Sequence, residues 1–227
     1  MFRFISTLLL VFISSTSCAN SNLSRAPEIY TKTFDFIKLG DSIATTVFNE
    51  KIDFTAKERK ETYFNSCNDI LVYNYRDIAT YEQFRFKLIT ATCTAIHKYL
   101  NAQLSNNSYF PDNFTDDFIL SLPANVTPII NEFIFNKRKG KSINQAFNVE
   151  KIQDRNKSHN ILAPEDDINI DILARGDFDN DGIEDLIVSV AWYARNARGK
   201  FNDLVIVTKK SDDKPMEITW RMHGSVW

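Results

Sequence analysis

The chain has 227 residues, of which 44% are hydrophobic and 13% aromatic, and its formal net charge is −2 at pH 7. This length suffices for one sizeable core or for two closely packed halves, and the aromatic content is typical of a folded chain. The near balance of charge argues against general nucleic-acid binding, which requires a basic surface.

Residues 1–18 have the layout of a secretory signal peptide. Arg3 supplies the positive charge, residues 4–13 form an apolar run too short to span a bilayer as a stable helix, and small polar residues lead to Cys18. A small residue directly before a cysteine is similar to the bacterial lipobox. That resemblance implies that Cys18 carries a lipid anchor and that the protein faces the periplasm from a bacterial membrane. Ordinary signal cleavage after Ala19, followed by secretion, is the alternative.

Residues 19–26 are polar and predict a short tether, and residues 27–149 carry mainly helical patterns. The clearest helix begins near Thr80, because the sequence Thr-Tyr-Glu-Gln has the form of a capping box. Cys93 lies on the buried side of this helix, so we expect Cys67 to come from a segment packed against it. An even pair of cysteines in an oxidising compartment predicts a disulfide, and two buried free thiols are the alternative.

The C-terminal part of the chain changes to a period of two. Residues 150–166 are rich in charge and asparagine and predict a linker or long loop. In residues 167–227 we expect an antiparallel meander of about four strands; in the first of them three isoleucines alternate with Asn169 and Asp171, as in a half-buried strand. The helices upstream are expected to cover this sheet, which predicts an α+β protein.

The sharpest chemical signal is the acidic stretch 176–186. Its spacing predicts that four carboxylates and one carbonyl converge on a hard cation such as Ca²⁺, the ligands being Asp177, Asp179, Asp181, Asp185 and the carbonyl of Ile183. Gly182 is expected to make the turn, because a positive φ is nearly free for glycine. A metal-free turn is the alternative, but four aspartates that are not neutralised would repel one another.

This stretch is not an EF-hand loop, because Val188 stands where the bidentate glutamate would be. The sequence Asp-x-Asp-x-Asp-Gly-x-x-Asp-Leu, from Asp177 to Leu186, resembles the calcium loop of FG-GAP repeats, the repeats of integrin-type propellers. The resemblance implies a calcium-bound hairpin between two strands.

Motifs for catalysis are weak. The three histidines have no metal-ligand spacing to one another and are expected to face solvent: His97, His159 and His223. Paired carboxylates occur at Asp116–Asp117 and at Glu165–Asp167, where helix capping or a solvated loop explains them equally well.

Two functions are therefore weighed. The first is an exported, lipid-anchored envelope protein without catalytic activity, whose calcium site supports a surface that binds an envelope protein or a glycan. The candidate residues for that surface are Tyr193, Arg195 and Arg198, since aromatic and arginine residues are favoured at binding hot spots. The second is an exported metal-dependent hydrolase acting on a glycan or an ester.

Overall fold

The computed structural model describes residues 24–30, 34–129, 131–154, 158–196 and 199–223. The predicted signal peptide with Cys18, most of the predicted tether, and Arg198 lie outside these residues. Within the described part the protein is a mixture of α-helices and antiparallel sheets, which confirms the α+β class. No helix in these ranges is long and apolar enough to cross a membrane.

The N-terminal part contains five helices and a small sheet. Its elements are β1 (Glu28–Ile29), β2 (Ile37–Lys38), β3 (Val47–Thr55), β4 (Glu61–Ser66), α1 (Cys67–Val72), α2 (Gln83–Leu100), α3 (Asp116–Ser121), α4 (Glu132–Arg138) and α5 (Ile143–Ala146). Strands β2, β3 and β4 form a three-stranded antiparallel sheet. The prediction of a mainly helical region missed this sheet, because β3 is exposed or only partly buried at most positions and fully buries only Phe48 and Phe54.

The C-terminal part forms the larger sheet. Its strands are β5 (Lys151–Asp154), β6 (Ser158–Leu162), β7 (Asp166–Gly176), β8 (Asp185–Ala194), β9 (Lys200–Thr208) and β10 (Glu217–Arg221), and each pairs antiparallel with the next. β1 joins this sheet by pairing with the end of β7. The meander was predicted, but it has more than the four strands expected.

The prediction of a linker at 150–166 was wrong, because β5 and β6 lie there. β6 buries His159 and Ile161 against the sheet, while Ser158, Asn160 and Leu162 alternate with them and stay partly exposed. Because one of the two buried residues of β6 is a histidine, the alternation of buried and partly exposed positions is hard to recognise in the sequence. β5 is the edge strand of the sheet and β6 lies next to it; polar residues are typical of strands at a sheet edge.

Both faces of the larger sheet are covered. One face, the α3 side, packs its valines and isoleucines against α3, α5 and the aromatic residues Tyr30, Phe110 and Phe147. The other face, the α2 side, packs Leu173, Ile187, Leu204 and Ile206 against α1, α2 and the three-stranded sheet. This burial on both faces explains why β8 is apolar at successive positions, as strands between two layers are.

A disulfide joins the first two helices. Cys67, the first residue of α1, and Cys93, in α2, are both fully buried, and their Cα atoms are 5.1 Å apart. The predicted pairing is therefore confirmed. In the chain-entropy model a loop of this length adds about 3 kcal/mol to the free energy of unfolding.

Candidate metal centre

The acidic stretch forms the connection between two neighbouring strands. β7 ends at Gly176 and β8 begins at Asp185, and these two residues are register partners. The turn needs two residues in the left-handed region, Asn180 with φ of 66° and Gly182 with φ of 81°. A Cβ atom at Gly182 would also lie 3.2 Å from the side-chain amide nitrogen of Asn106, so glycine is favoured by space as well as by conformation.

Three aspartates of this loop come together. One carboxylate oxygen from each of Asp177, Asp179 and Asp185 lies within 4.8 Å of the others. Asp177 is 2% exposed and Asp185 is fully buried, whereas Asp179 is open to solvent. Three oxygen ligands at this separation can hold a metal ion, which would compensate the burial of like charges.

Backbone amides and one hydroxyl fix the two buried carboxylates. Asp177 accepts hydrogen bonds from the amides of Asn180 at 2.7 Å and Gly182 at 2.9 Å. Asp185 accepts one from the amide of Phe178 at 3.1 Å and another from the hydroxyl of Thr208. A carboxylate has about four lone-pair positions, so each keeps acceptor capacity for a cation.

The structure does not bring the whole predicted ligand set together. The carboxylate of Asp181 accepts a hydrogen bond from the amide of Ile183 at 2.8 Å and is not part of the three-carboxylate group. Ile183 forms a bridge with Asn107 that uses the carbonyl of Gly182 and the amide of Glu184, so the bridge does not involve the Ile183 carbonyl, the predicted ligand. The sequence spacing alone does not reveal these local hydrogen bonds.

Burial raises the pKa of the Asp185 carboxyl to about 7. Hydrogen bonds from Thr208 and Phe178 oppose this rise, and the negative charge of Asp179 adds to it. Burial also raises the pKa of Asp179, and the charge of Asp181 raises it further. Both shifts have the sign expected for carboxylates that crowd one another without a cation.

A segment that follows α2 packs against the loop. The amide of Gln103 donates to the carbonyl of Asp177 at 3.0 Å, and that of Asn106 donates to the carbonyl of Gly182 at 2.8 Å. The amide of Glu184 in turn donates to Asn107 at 2.8 Å. The acidic loop is therefore held by the N-terminal part of the chain as well as by its own hairpin.

A buried ion pair stands at the base of the loop. Arg175, 1% exposed, donates from Nε to Oε1 of the fully buried Glu184 at 2.8 Å, and a second hydrogen bond makes the pair bidentate. The hydroxyl of Ser108 donates to the same carboxylate at 2.5 Å, and Arg25 lies 3.7 Å from it. The sequence analysis missed this pair, although Arg175 directly precedes Gly176 at the start of the loop and Glu184 directly precedes Asp185 at its end.

The candidate binding residues contact different parts of the structure. The ring of Tyr193 lies 6.0 Å from that of Phe84 in α2. Arg195 donates to the carbonyl of Ala163 at 3.0 Å and to the carboxylate of Glu150 at 3.2 Å. Arg195 is thus engaged in holding neighbouring loops.

The carboxylate pairs considered for hydrolysis also have structural partners. Asp116 lies 3.2 Å from Nδ1 of His159, and the indole of Trp192 donates to Asp166 at 2.6 Å. Asn160 donates to Asp167 at 2.5 Å. His159 is 1% exposed, so the expectation that it faces solvent was wrong; it is an inward residue of β6, which lies between β5 and β7.

The three-carboxylate group predicts an order of effects among loop variants. We expect Asp177→Asn, Asp179→Asn and Asp185→Asn each to weaken calcium binding by at least about tenfold, because each removes a charged ligand. Asp181→Asn should weaken it less, although Asp181→Ala should still lower affinity by removing a nearby negative charge. Isothermal titration calorimetry on the four asparagine variants measures the order of these losses in calcium affinity. A larger loss for Asp181→Asn than for Asp179→Asn would contradict this assignment.

Proton competition predicts a pH dependence. Since a metal ligand must be ionised and burial raises the pKa of Asp185 to about 7, calcium affinity should fall by up to about tenfold per pH unit below 7 and level off above it. Without metal the sign is reversed: the pKa of Asp185 in the fold lies above its ordinary value, so this carboxyl favours the fold at acid pH, and that stability is lost as pH rises towards 7. Calorimetry in buffers of different ionisation enthalpy should detect the released proton. A calcium affinity that does not change between pH 6 and pH 8 would exclude the competition.

No protein-family model matches the chain, and no curated protein or solved structure shows significant similarity to it. The functional assignment therefore rests on the residues of the acidic loop and their surroundings.

Proposed function

We propose that this chain is an exported, lipid-anchored envelope protein in which a structural calcium ion stabilises a non-catalytic binding module. The observation that carries the proposal is the group formed by Asp177, Asp179 and Asp185. Two of its three carboxylates are buried, and all three lie within 4.8 Å of one another. Such a group is costly unless a cation neutralises it.

Calcium suits this loop better than other common divalent ions. The ligands are hard oxygens, and the remaining positions are open to backbone carbonyls, other carboxylates or water, which fits the flexible six- to eight-fold coordination of Ca²⁺. Mg²⁺ requires near-ideal octahedral geometry and retains several waters. The resemblance of the loop to FG-GAP calcium loops supports the same ion.

The surroundings of the loop favour a structural role for the ion. The loop contacts the segment 103–107 and the buried pair of Arg175 and Glu184, so a bound cation would stabilise the junction between the N-terminal part and the sheet. The carboxylates considered for catalysis at Asp116, Asp166 and Asp167 are hydrogen-bonded to their neighbours. A hydrolase would instead need an open metal position beside a base.

Export and anchoring are proposed from the N-terminal sequence. Arg3, the apolar run 4–13 and Cys18 have the layout of a lipoprotein signal. The disulfide between Cys67 and Cys93 supports export, because disulfides persist in oxidising compartments. We place the protein in the cell envelope, facing the periplasm, with an envelope protein or a glycan as its partner. Tyr193, which is partly buried against Phe84, is the aromatic candidate in the predicted binding surface.

Calcium should raise the melting temperature of the protein. At about 1 mM Ca²⁺ and an affinity on the order of 10 μM, mass action adds about 2.7 kcal/mol, which corresponds to a rise of about 5 to 10 °C for a domain of this size. Thermal unfolding in chelator, in Mg²⁺ and in Ca²⁺ measures the effect, with Asp177→Asn as the control that should not respond. An equal rise with Mg²⁺ would reject calcium selectivity. Calcium-dependent cleavage of a glycan or ester substrate would favour the hydrolase.

The lipid anchor has a separate test. We expect Cys18→Ser to abolish fatty-acid labelling and membrane association, because this thiol is the only proposed site of attachment. Metabolic labelling with a fatty acid, followed by membrane fractionation of cells producing either form, gives the answer. The calcium-dependent melting shift should be unchanged in this variant. Continued labelling of the variant would refute the lipobox.

A further inference from the structure

One part of the larger sheet carries a polar strip within an otherwise apolar face. On β7, Ile168, Ile170 and Ile172 point into the core on the α3 side. The alternate residues, Asn169 and Asp171, therefore point to the α2 side. Asp171 is the register partner of Ser158 on β6 and of Ser189 on β8. These three polar side chains therefore form a row across three strands, and all three are only partly buried.

A groove opens above this row. It has a volume of about 800 Å³, within the range of small-molecule sites. Asp171, Ser189 and Leu173 form its floor. One wall comes from α2, with Leu88, Ile89, Thr92 and Arg85. The other comes from Phe36 and from residues 49–53 of β3, of which Ile52 is apolar and Glu50, Lys51 and Asp53 are charged.

Asp171 is the charged residue of the floor. Its carboxylate has a hydrogen bond with Ser158, and among the described residues no lysine or arginine forms an ion pair with it. Burial raises its pKa, so its charge is poorly solvated. His159 opposes this rise from the opposite face of the sheet, where its ring contacts Asp116.

Two basic residues line the groove, Lys51 and Arg85, and among the described residues neither forms an ion pair with Asp171. Arg85 donates to the carbonyl of Asp53 at 2.9 Å, and its guanidinium lies 4.6 Å from the centre of the Phe54 ring. Lys51 is exposed on β3. The carboxylate of Asp171 has its hydrogen bond with Ser158 and faces the groove.

We infer that this groove is a binding site for an organic cation, in which an ammonium group meets Asp171 and an apolar body packs between Leu88, Ile89 and the β3 wall. A cation on the floor would neutralise a carboxylate that is partly removed from water, and the ammonium could also donate to Ser189. The apolar side chains in the walls favour a ligand with a hydrocarbon part; they are Phe36, Ile52, Leu88 and Ile89. This site is separate from the acidic loop and depends on neither the calcium ion nor the lipid anchor.

Three probes of the same shape test the charge requirement: cyclohexylmethylamine, cyclohexylmethanol and cyclohexanecarboxylate, titrated at pH 7.5 into the full-length, calcium-loaded protein. Chemical shifts of the groove amides give the affinities. We expect the amine to bind at least about tenfold more tightly than the alcohol, and the carboxylate to bind most weakly. Equal affinity for the amine and the alcohol would overturn the inference, and so would the absence of binding by all three probes. Binding of the neutral glycan maltotriose by a protein that shows no preference for the amine would also overturn it.

Three variants test whether the preference for the amine depends on Asp171. Asp171→Asn keeps the shape of the side chain and should reduce the affinity for the amine to that for the alcohol, whereas Asp212→Asn, an exposed residue in the turn before β10, should leave the preference intact. Ser189→Leu fills the groove beside the carboxylate and should weaken amine and alcohol alike. Retained amine preference in Asp171→Asn would reject the site. Calcium affinity should be unchanged in all three variants, so a failure of this inference is distinguishable from a failure of the calcium proposal.

Discussion

The electrostatic repulsion among three aspartates at the β7–β8 turn is the constraint on which the structure of this protein depends. Asp177, Asp179 and Asp185 are held close together, two of them out of water, and the pKa values of Asp179 and Asp185 are raised as a result. Backbone amides of the loop position the carboxylates of Asp177 and Asp185, but hydrogen bonds do not remove the net negative charge. The backbone therefore determines where the oxygens are, and a cation would determine how stable that arrangement is.

The same loop lies where separate parts of the chain meet. The segment 103–107 pairs with it, and Arg25, whose backbone pairs with Ser105, also approaches Glu184. The pair of Arg175 and Glu184 is completely enclosed, and removal of either partner from such a pair typically costs about 3 to 5 kcal/mol. A change in the loop is thereby transmitted to the N-terminal strand and to the end of α2. This connectivity is the physical basis for assigning the ion a structural role.

Local features of the sequence predicted the local parts of this structure well. The carboxylate spacing identified the loop, the even pair of cysteines identified the disulfide, and the helical pattern identified α2. What failed depended on distant partners: residues 150–166, predicted as a linker, form the edge strand β5 and the neighbouring strand β6, and their polar residues hide the alternation. The bridge between Asn107 and Ile183 also joins segments that are far apart in the sequence. Spacing likewise does not show that the carboxylate of Asp181 accepts the Ile183 amide.

A bulge in β7 connects the groove with the acidic loop. The register between β7 and β8 shifts between Ile172 and Ala174, and as a result the consecutive residues Leu173 and Ala174 both pack on the α2 side. Before the bulge, strict alternation places Asp171 in the groove. After it, Arg175 turns to the α3 side, where it stacks on Phe114 and pairs with Glu184. Without the shift, Arg175 would lie on the same face of β7 as Asp171, on the side opposite Glu184. Bulges commonly re-aim side chains near functional sites, and here a single extra residue separates a carboxylate available to a ligand from an ion pair that supports a metal loop.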